Sequence, residues 1–121
     1  MSGPHDLGHW GEALAAQWLE AQGWQIEARN WRHGPLELDL VAREGTVMVF
    51  VEVKTARKAT YGTPDVRLTP AKQEALARAA AAYMYAHGYD GEIRFDLISI
   101  LAPSPSSYTI RHFRDAFFPG L

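Results

Sequence analysis

The sequence contains no cysteine. That removes disulfide frameworks, thiolate zinc sites and cysteine nucleophiles together, and it fits a reducing compartment. No apolar run approaches the ~20 residues a membrane span needs. The start, Met1-Ser2-Gly3-Pro4-His5-Asp6, lacks the basic-then-apolar order of a signal peptide. The expected compartment is therefore the cytoplasm, with no membrane partner. Internal repeats are missing, and the one biased stretch, Ala75 to Ala82, is a strong helix former rather than a linker. A positive charge excess is also missing. The net charge of −2 and pI of about 6.2 argue, on average, against a nucleic-acid binder. The five histidines lack the paired spacing of a zinc site. Ser104, Ser106 and Ser107 sit in a proline loop without the histidine pattern of a hydrolase triad. Gly62, Gly88 and Gly91 form no phosphate-binding fingerprint.

What remains is a chain of 121 residues, 47% hydrophobic and 21% charged, which fits one globular domain over 1–121. Residues Asp6 to Gln22 have helical spacing, with an apolar face centred on Leu14 and Trp18 and a stop at Gly23. Trp24 to Trp31, Leu36 to Ala42 and Thr46 to Lys54 read as strands, the last two joined by a tight turn at Glu44-Gly45. A polar loop follows, Thr55 to Leu68. Thr69 caps a second helix with Pro70 in its first position, and that helix ends near His87 and Gly88. Ile93 to Leu101 and Tyr108 to Phe113 complete the order α-β-β-β-α-β-β.

The second and third strands carry the chemistry. A turn at Glu44-Gly45 sets Arg43 opposite Thr46, Glu37 opposite Glu52, and Asp39 opposite Phe50 and diagonal to Glu52. Alternation then assigns Leu36, Leu38, Leu40, Val47, Val49, Val51 and Val53 to one face. Glu37, Asp39, Val41, Met48, Phe50, Glu52 and Lys54 take the other. Carboxylates on diagonal neighbours, roughly 7–8 Å apart at Cα, can share one divalent cation. Asp39, Glu52, a backbone carbonyl such as that of Val53, and water make an all-oxygen set that selects Mg²⁺ or Mn²⁺. Lys54 would bring an ammonium beside that ion, to hold the attacking water or to stabilise charge on a phosphate. The plainer reading of the same residues is a solvated charged face. Met48 and Phe50 on that face weigh against it, because covered carboxylates need a partner.

The segment Asp39…Glu52-Val53-Lys54 resembles the D…(D/E)xK signature of the restriction-endonuclease-like superfamily. More closely, the chain resembles the bacterial YraN-like family, relatives of archaeal Holliday junction resolvases. The likeness includes Gly8-His9-Trp10-Gly11-Glu12, Arg29-Asn30-Trp31-Arg32, Glu37 to Ala42, Phe50 to Thr55 with Arg57, Lys72, and Arg94-Phe95-Asp96. Pro35-Leu36 departs from the glycine expected directly before Glu37. The resemblance implies a restriction-endonuclease-like α/β fold, a mixed β-sheet flanked by helices with the metal site where the central hairpin splays. It also implies that Glu12 of the first helix supplies or orients a ligand; otherwise Glu12 is a solvated acid favoured by the helix dipole. Glu37 is left open between a second ligand, a tuner of Glu52 and a solvent-facing acid.

A DNA substrate requires cations near phosphates. Lys54, Arg57, Lys58, Arg67 and Lys72 face a single acid, Asp65, in the middle of the chain, and Arg29, Arg32 and His33 precede the hairpin. Arg29, Arg32, Arg57, Lys58 and Lys72 are thus the candidate substrate contacts, with Tyr61 and Gly62 in a loop long enough to close. Arg94 with Asp96 reads best as a structural ion pair. The expectation is a metal-dependent endonuclease acting on branched or structured DNA. A branch-cutting enzyme nicks two strands symmetrically, which implies a homodimer; Phe113, Phe117 and Phe118 either serve that interface or close the core. The rival is a non-catalytic DNA- or protein-binding module that keeps the fold, and a third reading is an interaction domain without nucleic acid.

Overall fold

The computed structural model describes residues 4–58 and 68–118. Its elements are α1 (Pro4–Glu20), β1 (Gln25–His33), β2 (Leu36–Glu44), β3 (Val47–Ala56), α2 (Pro70–His87), β4 (Ile93–Ser104) and β5 (Ser107–Phe113), the order the sequence implied. The five strands form one sheet in chain order. Neighbours are antiparallel except β3 and β4, which run parallel because α2 carries the chain back between them. The result is a mixed α/β fold with a five-stranded mixed sheet flanked by two helices.

Each helix closes one face of the sheet. Ala15, Ala16 and Leu19 of α1 pack on Leu40, Ala42, Val49, Val51, Ile98 and Ile100. Leu76, Ala79, Ala80 and Tyr83 of α2 pack on Leu38, Val41, Met48, Phe50, Phe95 and Leu97. The α2 caps are those the sequence announced. Thr69 accepts a hydrogen bond from the Lys72 N–H at 3.1 Å, Pro70 opens the helix, and Gly88 closes it at φ 61.

The buried stripe of α1 differs from the expected one. Leu7, Gly11, Ala15, Ala16 and Leu19 are buried, while Trp10, Leu14 and Trp18 lie half-buried at its margin. Small residues at the centre let the helix sit close to the sheet. A Cβ on Gly11 would stand 2.0 Å from Thr55 Oγ1 on β3.

Two further corrections concern the hairpin. The turn is Gly45-Thr46, with Gly45 at φ 61, so Glu44 stands opposite Val47 and Arg43 opposite Met48. The positive φ of glycine decides this. The register slides by two positions, which preserves the side each residue of β3 faces. The second correction lies in β2. Leu36 and Leu38 pack on the α2 side with Val41, whereas Leu40 packs on the α1 side. The pleat is interrupted at Asp39. Across from it on β1, Asn30 has φ 52, and no backbone pair joins the two between Arg29↔Leu40 and Trp31↔Leu38.

The other ends also run longer than expected. β3 continues through Thr55 and Ala56, and β4 reaches Ser104, leaving a two-residue turn at Pro105-Ser106. Tyr61, Gly62, Asp65 and Arg67 lie outside the described residues. The tail folds back on the sheet: Ala116 N–H donates to Phe95 O at 2.7 Å and Phe117 stacks on Phe95 at 4.6 Å. Phe117 thus closes the core, and Phe113 is half-buried beneath Arg111. Phe118 is 82% exposed. No described helix is long and apolar enough to cross a membrane.

Candidate metal centre

The β2–β3 ladder runs from Glu44↔Val47 to Leu40↔Val51 and stops. Beyond it Asp39 Oδ2 accepts the Val53 N–H at 2.9 Å. The carboxylate therefore occupies the gap where the two strands part, and it meets acids from both sides of the sheet.

On the α1 side, Glu12, Glu37 and Asp39 each offer an oxygen, all within 4.8 Å of one another. Oxygens around Mg²⁺ at ~2.1 Å lie about 3 Å apart when adjacent and about 4.2 Å when opposite, so the three oxygens would have to draw together to hold one ion. Helical geometry puts Glu12 in line with Ala16 and Leu19, on the buried stripe itself, and its side chain is 13% exposed. Glu12 Oε1 is buried without a hydrogen-bond partner; His9 Nδ1, on the imidazole one turn earlier, stands 3.8 Å away. Burial pushes the Glu12 carboxyl up to about 7. The charge of Asp39, a hydrogen bond shared with it and the charge of Glu37 add to the rise, while the Asn30 side chain, hydrogen-bonded to Glu12, opposes it.

On the α2 side, Glu52 is buried. Its carboxyl is pushed up to about 8, first by burial, then by the charge of Asp39 and a hydrogen bond shared with it. Lys72 pulls the other way, its ammonium 3.1 Å from Glu52 Oε2. Burial would lower the Lys72 pKa, but the Glu52 carboxylate outweighs it and holds the ammonium above its usual range. Closely packed, partly buried acids favour keeping a proton, and a divalent ion bound there would displace it.

The expected site residues thus divide. Asp39 and Glu12 come together, joined by Glu37, which the sequence left undecided. Glu52 meets this group through Asp39 rather than as a member of the triad. Val53 contributes its N–H to Asp39. Lys54 is half-buried two residues beyond Glu52. Arg29, Arg57 and Lys58 are exposed, and Arg32 stands 3.4 Å from Glu37. Lys72, expected against phosphate, is paired to Glu52 instead. The sequence held one sign of this: a lysine in the first turn of a helix opposes the dipole and so needs an acid nearby. Asn30 and His9 were missed as neighbours of Glu12.

A second polar cluster lies on β4 and β5. Asp96, with a fully buried carboxylate, accepts from Arg94 Nε at 2.8 Å and Asp115 N–H at 3.0 Å, and lies 2.8 Å from His112 Nε2. Despite burial, these partners hold its carboxyl down at about 2. Every acceptor is satisfied, which is the structural role expected for this pair.

Fold and site together define a mixed-sheet α/β protein whose acids converge at a break in the sheet. The chain belongs to the uncharacterised protein family UPF0102, whose model matches residues 11–100. Similar proteins of that family occur in Geobacter sulfurreducens, 46% identical over 92% of this chain and 88% of the relative. The Chlorobium limicola relative is 40% identical over 95% and 94%, and that of Bacteroides thetaiotaomicron is 37% identical over 100% and 99%.

Proposed function

We propose that this protein is a metal-dependent endonuclease of restriction-endonuclease-like fold that hydrolyses phosphodiester bonds in branched or structured DNA. The observation that carries the reading is the buried Glu12 Oε1, which has no hydrogen-bond partner, within a group of converging acids. Such an atom is costly unless something binds it, and an all-carboxylate set suits a hard divalent ion. Mg²⁺ or Mn²⁺ would be held by Asp39, Glu12 and Glu37, with Glu52 and the Val53 carbonyl completing the set. A bound ion would neutralise phosphate charge and lower the pKa of a coordinated water.

The chain's own residues supply the rest. Lys54 holds the attacking water in line with the scissile bond and stabilises charge gathering on the phosphate. Arg29, Arg32, Arg57 and Lys58 supply cations to flanking phosphates. Symmetric cutting of a branch calls for two copies, so the reading includes a homodimer acting in the cytoplasm.

Purified protein with Mn²⁺ should nick four-way junctions and flaps faster than linear duplex, and Asp39→Ala or Lys54→Ala should abolish nicking. Calorimetric titration should show Mn²⁺ binding that Glu52→Gln weakens. Full activity in either variant removes the mechanism. Salt-dependent DNA retention without Mn²⁺ binding indicates the non-catalytic module instead.

A further inference from the structure

The ion pair of Glu52 and Lys72 joins two unequally placed side chains. Lys72 Nζ stands 3.1 Å from Glu52 Oε2. The Glu52 side chain is 10% exposed, so its carboxylate has little water to turn to, whereas that of Lys72 is 46% exposed. The Lys72 backbone is pinned in the α2 cap, where its N–H donates to Thr69 Oγ1 at 3.1 Å. A flexible aliphatic stem separates that anchor from the ammonium. The lysine can therefore leave the pair for solvent by side-chain rotation alone, and the glutamate cannot follow. The pair also adjoins the other acids. Val53, next to Glu52 on β3, donates its N–H to Asp39 Oδ2, and Asp39 groups with Glu12 and Glu37. Arg32 also reaches this group, 3.4 Å from Glu37, but there both partners are more open to water and the contact is worth less. Glu52 is the acid that a departing cation would leave buried and uncompensated, which is costly unless another cation takes its place.

We propose that Lys72 is the exchangeable counter-ion of the carboxylate cluster: its ammonium holds Glu52 while no metal is present and swings into solvent when a divalent ion takes Glu52. This deepens the metal reading above and rests on it. The exchange also sets selectivity. A monovalent ion brings the acids no more charge than the ammonium it displaces. A divalent ion brings twice as much, so the exchange favours it.

The chain has three lysines, Lys54, Lys58 and Lys72, so ¹³C labelling at lysine Cε follows each ammonium by NMR. Without metal, Glu52→Gln should move the Lys72 signal, and an unmoved signal overturns the proposal. Saturating Mg²⁺, judged by calorimetry, should carry the wild-type Lys72 signal to its position in metal-free Glu52→Gln, while Na⁺ at matched ionic strength should not. A Lys72 signal that keeps its metal-free position while Mg²⁺ binds overturns the proposal and leaves the metal reading standing; so does a signal moved equally by Na⁺. At about pH 9.5, where Glu52 and Lys72 both carry their charges, Lys72→Met should lower the Mg²⁺ dissociation constant about 5-fold or more, the low end of coupling between two sites. Equal or weaker binding in the folded variant overturns the proposal. Binding by neither wild type nor Lys72→Met removes the metal reading and the exchange with it. Should Lys72→Met fail to fold, the wild-type Lys72 signal decides.

Discussion

Asp39 Oδ2 accepts the backbone N–H of Val53 at 2.9 Å, where the next rung of the β2–β3 ladder would otherwise lie. A side-chain oxygen does the work of a main-chain carbonyl, so the strands part without leaving the Val53 donor unsatisfied. The charge of the same carboxylate raises the pKa of both Glu12 and Glu52. One residue therefore holds the splay together and joins the acids of the two sheet faces. Asp39→Asn keeps an acceptor for Val53 and removes the charge that crowds its neighbours. The metal-free variant should be more stable than wild type by about 1 kcal/mol, the usual gain when a strained functional group is relieved, and should lose Mn²⁺ binding. Denaturant midpoints and calorimetry check the two halves.

The raised carboxyls of Glu12 and Glu52 fix a pH dependence. Unfolded, both titrate near 4.5; folded, near 7 and 8. Between these values the native state binds more protons than the unfolded state, so the unfolding free energy falls as pH rises from about 4.5 to about 8. Below that window both states are protonated and the penalty is absent. The opposite contribution, from Asp96 with its pKa lowered to about 2, is lost only in stronger acid. Thermal midpoints in EDTA should therefore decline from about pH 5 to about pH 8.5, and Mn²⁺ should reverse the decline because its binding displaces those protons. A flat profile in EDTA would contradict the crowding of these acids.

Gly11 sets how closely α1 approaches β3. A methyl there meets Thr55 Oγ1 at 2.0 Å and Thr55 Cβ at 3.0 Å. Gly11→Ala should cost about 1–3 kcal/mol, as overpacking does, and weaken Mn²⁺ binding by lifting Glu12 from Asp39. Thr55→Ala removes the nearer atom, so the double variant should regain part of both losses. A double-mutant cycle in urea measures the coupling, and additive effects would place the cost elsewhere.

Asp96 provides the contrast. Asp96→Ala removes the buried acid on which Arg94 and His112 converge and leaves Arg94 only Glu44, 2.9 Å away, at a cost of about 3 kcal/mol. At a temperature where the variant stays folded, its Mn²⁺ affinity should match wild type. Lost affinity in the folded variant would join this cluster to the metal centre.

Much of this was legible along the chain. The α2 boundaries follow from Thr69, Pro70 and Gly88, whose backbone preferences act locally. The β3 faces follow from alternation, which survives a register slide of two. That Asp39 and Glu52 stand close together at one break was also legible from their spacing on the two strands. The side assigned to Leu36 and Leu38 was not, because it depends on a left-handed Asn30 in the neighbouring strand. Nor was the partner of Lys72, which reaches Glu52 only after α2 folds across the sheet.

By itself the sequence determined the order of elements, their caps and the supply of acids, since these depend on each residue and its near neighbours in the chain. The tertiary structure alone decided which acids meet, which oxygen of Glu12 is buried without a hydrogen-bond partner and which lysine pairs with Glu52. Burial and charge proximity arise only when distant segments pack, and they set the protonation of the cluster.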